Sequence, residues 1–237
     1  MELEILHKTD RLVVVNKPAG LLVHRTNLER SATLFMLQIL RNQIGQRVYP
    51  IHRLDKPTSG VIIFALDPDH AREMSLLFGT DQFTKRYLAV LRGYCPEEGV
   101  IDYPLVPDQG GEAREAVTRF RRLAIAELPY PVGIFNTARY SLVEAEPVTG
   151  RRHQIRRHFK HLRYPILGDT RFGDRHHNRF LGQTLEIPLM MLHSWRTEWI
   201  NPQNGDKIVI SAELPAKWER MIALCNWEPI IRTIYLK

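Results

Sequence analysis

Ile51-His52-Arg53-Leu54-Asp55-Lys56-Pro57-Thr58-Ser59-Gly60 runs directly into Val61-Ile62-Ile63-Phe64-Ala65-Leu66. A short apolar run rich in β-branched residues, bounded by turn formers, predicts a buried strand. Pro57 and Gly60 punctuate the preceding decapeptide as a turn, so a rigid sheet can hold the loop carboxylate of Asp55 in one place. Two roles stay open for Asp55 at this point. It either caps backbone N–H groups near Thr58 or serves as a catalytic group, and other segments must decide.

Working outward, Leu3 to His7 and Leu12 to Asn16 read as an opening hairpin ended by Lys17-Pro18-Ala19-Gly20. Ser31 is the expected cap of a helix with apolar positions Leu34, Leu37, Leu40 and Ile44. Asp67-Pro68-Asp69 starts a second helix through Met74, Leu77 and Phe78. Strands are expected over Lys85 to Leu91, Gly99 to Val106, Ala116 to Leu128 and Arg139 to Glu146. A hairpin from Thr197 to Ile210 and a helix from Ala216 to Cys225 close the chain. Many strands with helices in irregular order predict an α+β fold, a mixed, mostly antiparallel central sheet flanked by helices and loops.

The chain has 237 residues, 44% hydrophobic and 25% charged, enough for a real core and read as a single domain over residues 1–237. Two cysteines, Cys95 and Cys225, argue against a disulfide framework or a Cys-rich zinc site and fit a reducing cytoplasm. No apolar stretch reaches the roughly eighteen residues of a membrane span, and the first residues lack a secretory pattern, so a soluble protein without a membrane partner is expected.

The net charge of +7 is concentrated. Between Arg151 and Arg179 eight Arg and one Lys face only Asp169 and Asp174, whereas the rest of the chain is balanced. Such a field points to a polyanion, most often nucleic acid. The segment opens with Pro147-Val148-Thr149-Gly150 and continues through Arg163, with Thr149 as the expected N-cap. On a helix Ile155, Phe159 and Leu162 form an apolar stripe beside a basic stripe of Arg152, Arg156, Lys160 and Arg163. A cation bordering the buried stripe, such as Arg156, could turn inward onto a buried carboxylate. His153, His158 and His161 lie among cations and far from Cys, which opposes a metal site.

The order His52-Arg53-Leu54-Asp55-Lys56-Pro57 differs from the kinase catalytic loop by an exchange that moves the carboxylate by one residue, and no glycine-rich loop or D-F-G accompanies it. Instead His52 to Gly60, together with Asn16-Lys17-Pro18-Ala19-Gly20, Lys85-Arg86-Tyr87 and Gly150-Arg151-Arg152-His153-Gln154-Ile155-Arg156, resembles the signature of the RluA family of pseudouridine synthases in order and spacing over nearly the whole chain. The Arg156-Arg157-His158 continuation and His161 to Asp169 look most like its TruC branch, tRNA pseudouridine synthases acting on uridine 65. Relatives acting on ribosomal RNA often begin with an S4 domain, for which no room is expected here.

The resemblance implies the pseudouridine synthase catalytic fold and RNA (most directly tRNA) as partner; a monomer is expected, and the isomerisation needs no cofactor. It implies that Asp55 is the nucleophile, that Tyr87 stacks on the target uracil and aids proton removal at C5, and that Arg156 pairs with Asp55. Arg53 would enter the RNA where the base has left, and His52, Ile155, Arg152 and Arg157 would contact substrate. The chemistry agrees: a uridine must leave the stack, so an aromatic platform and a basic surface belong beside an ionised carboxylate. The loop 107–115 is shorter than TruC relatives lead one to expect, the segment 128–137 carries no recognisable motif, and both are further candidates for RNA contact.

Overall fold

A computed structural model of the chain describes residues 1–24 and 35–236. In chain order its elements are β1 (Glu4–Lys8), β2 (Leu12–Lys17), α1 (Met36–Ile44), β3 (Tyr49–Pro50), β4 (Ser59–Ala65), α2 (Pro68–Leu77), β5 (Phe83–Arg92), β6 (Glu98–Asp102), β7 (Val117–Leu128) and β8 (Ala138–Pro147). There follow α3 (Gln154–His161), α4 (Arg175–Arg179) running into a π-helical turn (Phe180–Thr184), β9 (Leu192–Ile200), β10 (Lys207–Ser211), α5 (Lys217–Leu224) and α6 (Glu228–Tyr235). The expected cap Ser31 and Leu34 lie outside the described residues. The fold is α+β with mostly antiparallel pairing, and the chain divides into two compact units, residues 1–85 with 194–214 and residues 86–193 with 215–237. No described helix is long and apolar enough to cross a membrane.

In the first unit β4 is the central element. Every residue from Ser59 to Ala65 is buried, so both faces of the strand are covered, as its unbroken apolar run predicts. β2 pairs with it antiparallel from Leu12 opposite Ala65 to Lys17 opposite Gly60, and β1 pairs with β2. β9 and β10 form the expected hairpin. Val61, Ile63 and Ala65 pack with Leu12, Val14, Met74, Phe83 and Trp199. Removing each large apolar side chain from water contributes about 1.5–3 kcal/mol, so this cluster anchors β4, the strand that the Asp55 loop enters. Asp67 caps α2 as expected, accepting from the His70 N–H at 2.7 Å.

The second unit is an antiparallel row in which β8 pairs with both β5 and β7, and β7 pairs with β6. The helix α3 lies against this row through Ile155 and Phe159, both buried, with the Phe159 ring edge-on to Phe120 of β7 at 5.5 Å. Its start differs from the expectation. Thr149 does not cap it; the Thr149 hydroxyl donates to Gln154 Oε1 at 2.7 Å and accepts from the Val117 N–H at 2.9 Å, and the helix begins at Gln154 behind a left-handed His153. Gln154 in turn donates to Val117 O and Thr118 Oγ1, which ties the first turn of α3 to β7. Two elements of this unit carry no sequence expectation: α4 with its π-helical turn, and α6, an amphipathic helix without a fully buried residue.

Candidate active site

The loop before β4 is built by three devices. The main-chain carbonyl of Asp55 accepts from the Thr58 N–H at 3.0 Å, closing a tight turn around Pro57. Beneath it Lys17, at the end of β2, is completely buried. Its ammonium donates to Thr58 O at 2.7 Å, Lys56 O at 3.0 Å and Pro18 O at 3.0 Å. Three donors meet three carbonyls, so no proton is wasted. Burial pulls the Lys17 ammonium down to about 7, and the negative charge of Asp55 opposes that pull. Gly20 N–H adds a second donor to Lys56 O at 2.8 Å. At the exit Gly60 has φ +108°, and a Cβ there would stand 2.1 Å from the Ser194 carbonyl oxygen, so only glycine fits.

Around this frame Asp55 is half-buried, Arg53 exposed and Leu54 buried. His52 is turned to the main chain: its Nε2 accepts from the Ile63 N–H at 3.2 Å, and its ring stacks on Phe78 at 4.7 Å. Burial pushes its imidazole down to about 3, with the Lys85 charge acting in the same direction, which suits a neutral ring that accepts through Nε2. Lys85 itself lies over the Phe78 ring at 4.1 Å.

The second unit holds the other expected residues. Tyr87 is buried on β5, opposite Ala145 of β8. Arg156 points inward from α3 and forms a fork on Asp169, Nε to Oδ2 at 2.7 Å and Nη2 to Oδ1 at 2.8 Å. The Arg171 and Phe172 N–H groups also donate to Asp169 Oδ1, at 2.9 and 3.0 Å. Burial alone would raise the Asp169 carboxyl; the bonds and charge of Arg156 and the two amides outweigh it and hold it below the ordinary carboxylate value. Asn178 bridges Asp169 O and the Gly168 N–H, fixing the turn that carries the carboxylate.

Other cations and histidines in and before α3 are put to local use. Arg157 donates to Val106 O at 2.8 Å, and Arg152 reaches Asp108 at 3.1 Å. His158 is buried between Thr118 Oγ1 and Tyr103 O, and His161 stacks on the Tyr103 ring at 3.7 Å. Ile155 is buried in the helix stripe.

With this geometry in place, similarity to known proteins becomes informative. Residues 11–161 match the RNA pseudouridylate synthase family. This chain belongs to that family. It is 48% identical over 236 residues to a tRNA pseudouridine synthase C of Haemophilus ducreyi, covering 96% of this chain and 97% of that protein. It is likewise 48% identical to a tRNA pseudouridine synthase C of Pasteurella multocida, covering 96% and 98%. Among solved structures, human RNA Pseudouridylate Synthase Domain Containing 4 superposes with a TM-score of 0.73 at 27% identity, over 94% of this chain and 93% of that one.

Two residues of this pseudouridylate synthase escaped the reading of the sequence as chemistry. Lys17 figured in the sequence as the end of a hairpin and as part of the family signature, with no role given to its charge, although a cation closing a largely buried strand, Val13-Val14-Val15-Asn16-Lys17, marks a charge that must find buried acceptors. Asp169 counted as a minority charge and as the end of the TruC-like stretch from His161, without a partner or role of its own. A lone carboxylate directly after Ile166-Leu167-Gly168 within a cationic segment is the signal that could have found it.

Proposed function

We propose that this chain isomerises a uridine of tRNA to pseudouridine, uridine 65 by its likeness to the TruC branch, with Asp55 as the nucleophile. The observation that carries the reading is the rigid seat of Asp55: a turn fixed from below by the three bonds of Lys17 and sealed at Gly60. Relatives named tRNA pseudouridine synthase C, alike over nearly their full length, supply the substrate class.

Isomerisation breaks the N-glycosidic bond, turns the uracil in place and rejoins it through C5. One proton leaves C5 and one arrives at N1, so atoms and electrons balance without a redox partner or cofactor. Both ribose C1′ and uracil C6 are electrophilic carbons open to the Asp55 carboxylate. Tyr87 offers the aromatic face for the flipped base and a phenol near its C5, Arg156 orients the nucleophile, and Arg53 fills the space the base leaves. His52 and Ile155 shape the surroundings, and Arg152 and Arg157 meet phosphates. Residues 1–237 act as one catalytic domain, a monomer in the cytoplasm.

The test is tritium release from C5-labelled tRNA transcripts. Asp55→Asn should bind tRNA like the parent and release no tritium. Turnover near the parent rate removes Asp55 from the mechanism, and a parent that binds tRNA without turnover leaves a binding module. Mapping pseudouridines in a deletion strain then checks the substrate: loss of a ribosomal site with intact tRNA overturns the tRNA assignment.

A further inference from the structure

The β6–β7 connection lies along the basic helix α3. Arg157 holds it at Val106 O, His158 at Tyr103 O, and Arg151 at Glu115 O. At its tip Pro107 O accepts from the Gly110 N–H, and Gly110 and Gly111 both have positive φ with open space around them. That turn carries Asp108, whose Oδ2 receives both Arg152 Nη1 at 3.1 Å and Arg171 Nη1 at 3.2 Å. His153 Nδ1 stands 3.8 Å from the same oxygen. The Asp108 side chain is 18% exposed, while those of Arg152 and Arg171 are 38% and 51% exposed. Among the described residues neither guanidinium meets another carboxylate.

Two guanidinium groups from separate segments converging on one carboxylate oxygen, each with further donors facing outward, make the arrangement that an RNA phosphate calls for. Beside it the half-exposed Phe172 ring has the Arg171 guanidinium 5.1 Å from its centroid, with Arg156 at 5.1 Å and Lys160 at 5.8 Å. An aromatic face interleaved with cations is the usual form of a nucleic-acid surface. A purely structural ion pair would gain nothing from mounting its carboxylate on an exposed turn with two adjacent positive-φ glycines. Such a turn can yield its place with little loss of packing.

We propose that Arg152 and Arg171 form a phosphate subsite for the RNA substrate and that Asp108 is its built-in stand-in, displaced when RNA arrives. This rests on the RNA-modifying role proposed above. Asp108 keeps the two arginines converged without substrate and screens them from weakly held polyanions. Only a phosphate placed by the remaining contacts of a correct RNA displaces it, which makes Asp108 a discriminator against non-specific binding.

The experiment is tRNA binding by the parent, Asp108→Asn and Arg171→Ala as a function of salt, with poly(A) as a non-specific competitor. Asp108→Asn should tighten binding to both RNAs, poly(A) more than tRNA, and steepen the slope of log K against log salt for poly(A) by about 0.7 while leaving the tRNA slope in place. Arg171→Ala should make that slope shallower by about 0.9. In an Arg152→Ala/Arg171→Ala background the Asp108 change should have no effect. Weaker binding by a folded Asp108→Asn, or an unchanged poly(A) slope, overturns the proposal. If that variant fails to fold, a parental slope in Arg171→Ala overturns it equally. A parent that does not bind tRNA at all refutes the broader functional reading and takes this subsite with it, whereas a binding parent with unmoved variants refutes the subsite alone.

Discussion

Asp169→Asn tests whether the buried Arg156 depends on one carboxylate. Arg156 is 6% exposed and Asp169 1%, and the fork between them uses both carboxylate oxygens. Asparagine keeps the shape, but it replaces one acceptor with an NH2 that faces a guanidinium donor and removes the negative charge from the fork. Breaking a buried pair from one side costs about 3–5 kcal/mol, whereas exposed pairs contribute only about 0–1 kcal/mol. The unfolding free energy from urea titrations at pH 7 should therefore fall by about 3–5 kcal/mol. Because Arg156→Met removes the guanidinium that faces the new NH2, the double variant should lose clearly less than the two single losses added together. The Asp169 carboxyl is held below its ordinary 3.8, so its contribution is complete above that value and disappears as the pH falls through the lower folded value. The gap between parent and variant should consequently close in acid below about 3.8. A loss under about 1 kcal/mol at pH 7, or strict additivity in the cycle, refutes the reasoning.

Lys17 gives the opposite pH signature: its ammonium sits at about 7 in the fold against an ordinary 10.5, so between those values the unfolded chain binds more protons and stability should rise with pH. Lys17→Met should abolish that rise in urea titrations from pH 7 to 10, and by orphaning the carbonyls of Thr58 and Pro18 it should loosen the Asp55 turn, read as faster amide exchange at Thr58. Gly60→Ala should cost at least about 3 kcal/mol or prevent folding, since its Cβ would meet Ser194 O at 2.1 Å. Gly45→Ala, also at positive φ but with nothing within 4 Å, should cost only about 1–2 kcal/mol, and equal losses at the two sites would remove the steric argument.

The sequence by itself determined what depends on neighbours a few residues apart. The apolar run after Gly60 specified β4, Asp67-Pro68 specified the start of α2, and the recurrence of Ile155 and Phe159 specified the buried stripe of α3. These follow from periods of two and 3.6 residues and from cap chemistry. The motif order likewise carried the family. Tertiary structure alone decided which partner each polar group takes. Thr149 looked like a cap until β7 supplied a better partner in Val117. Lys17 finds its acceptors 39 and 41 residues away, and Arg156 finds Asp169 across 13 residues and a turn shaped by Asn178. Asp108 meets Arg171 over 63 residues. A buried charge must be matched somewhere, so the need for a partner is legible in the residue type; its identity depends on which segments the folded backbone brings within about 3 Å, and no local pattern encodes that distance.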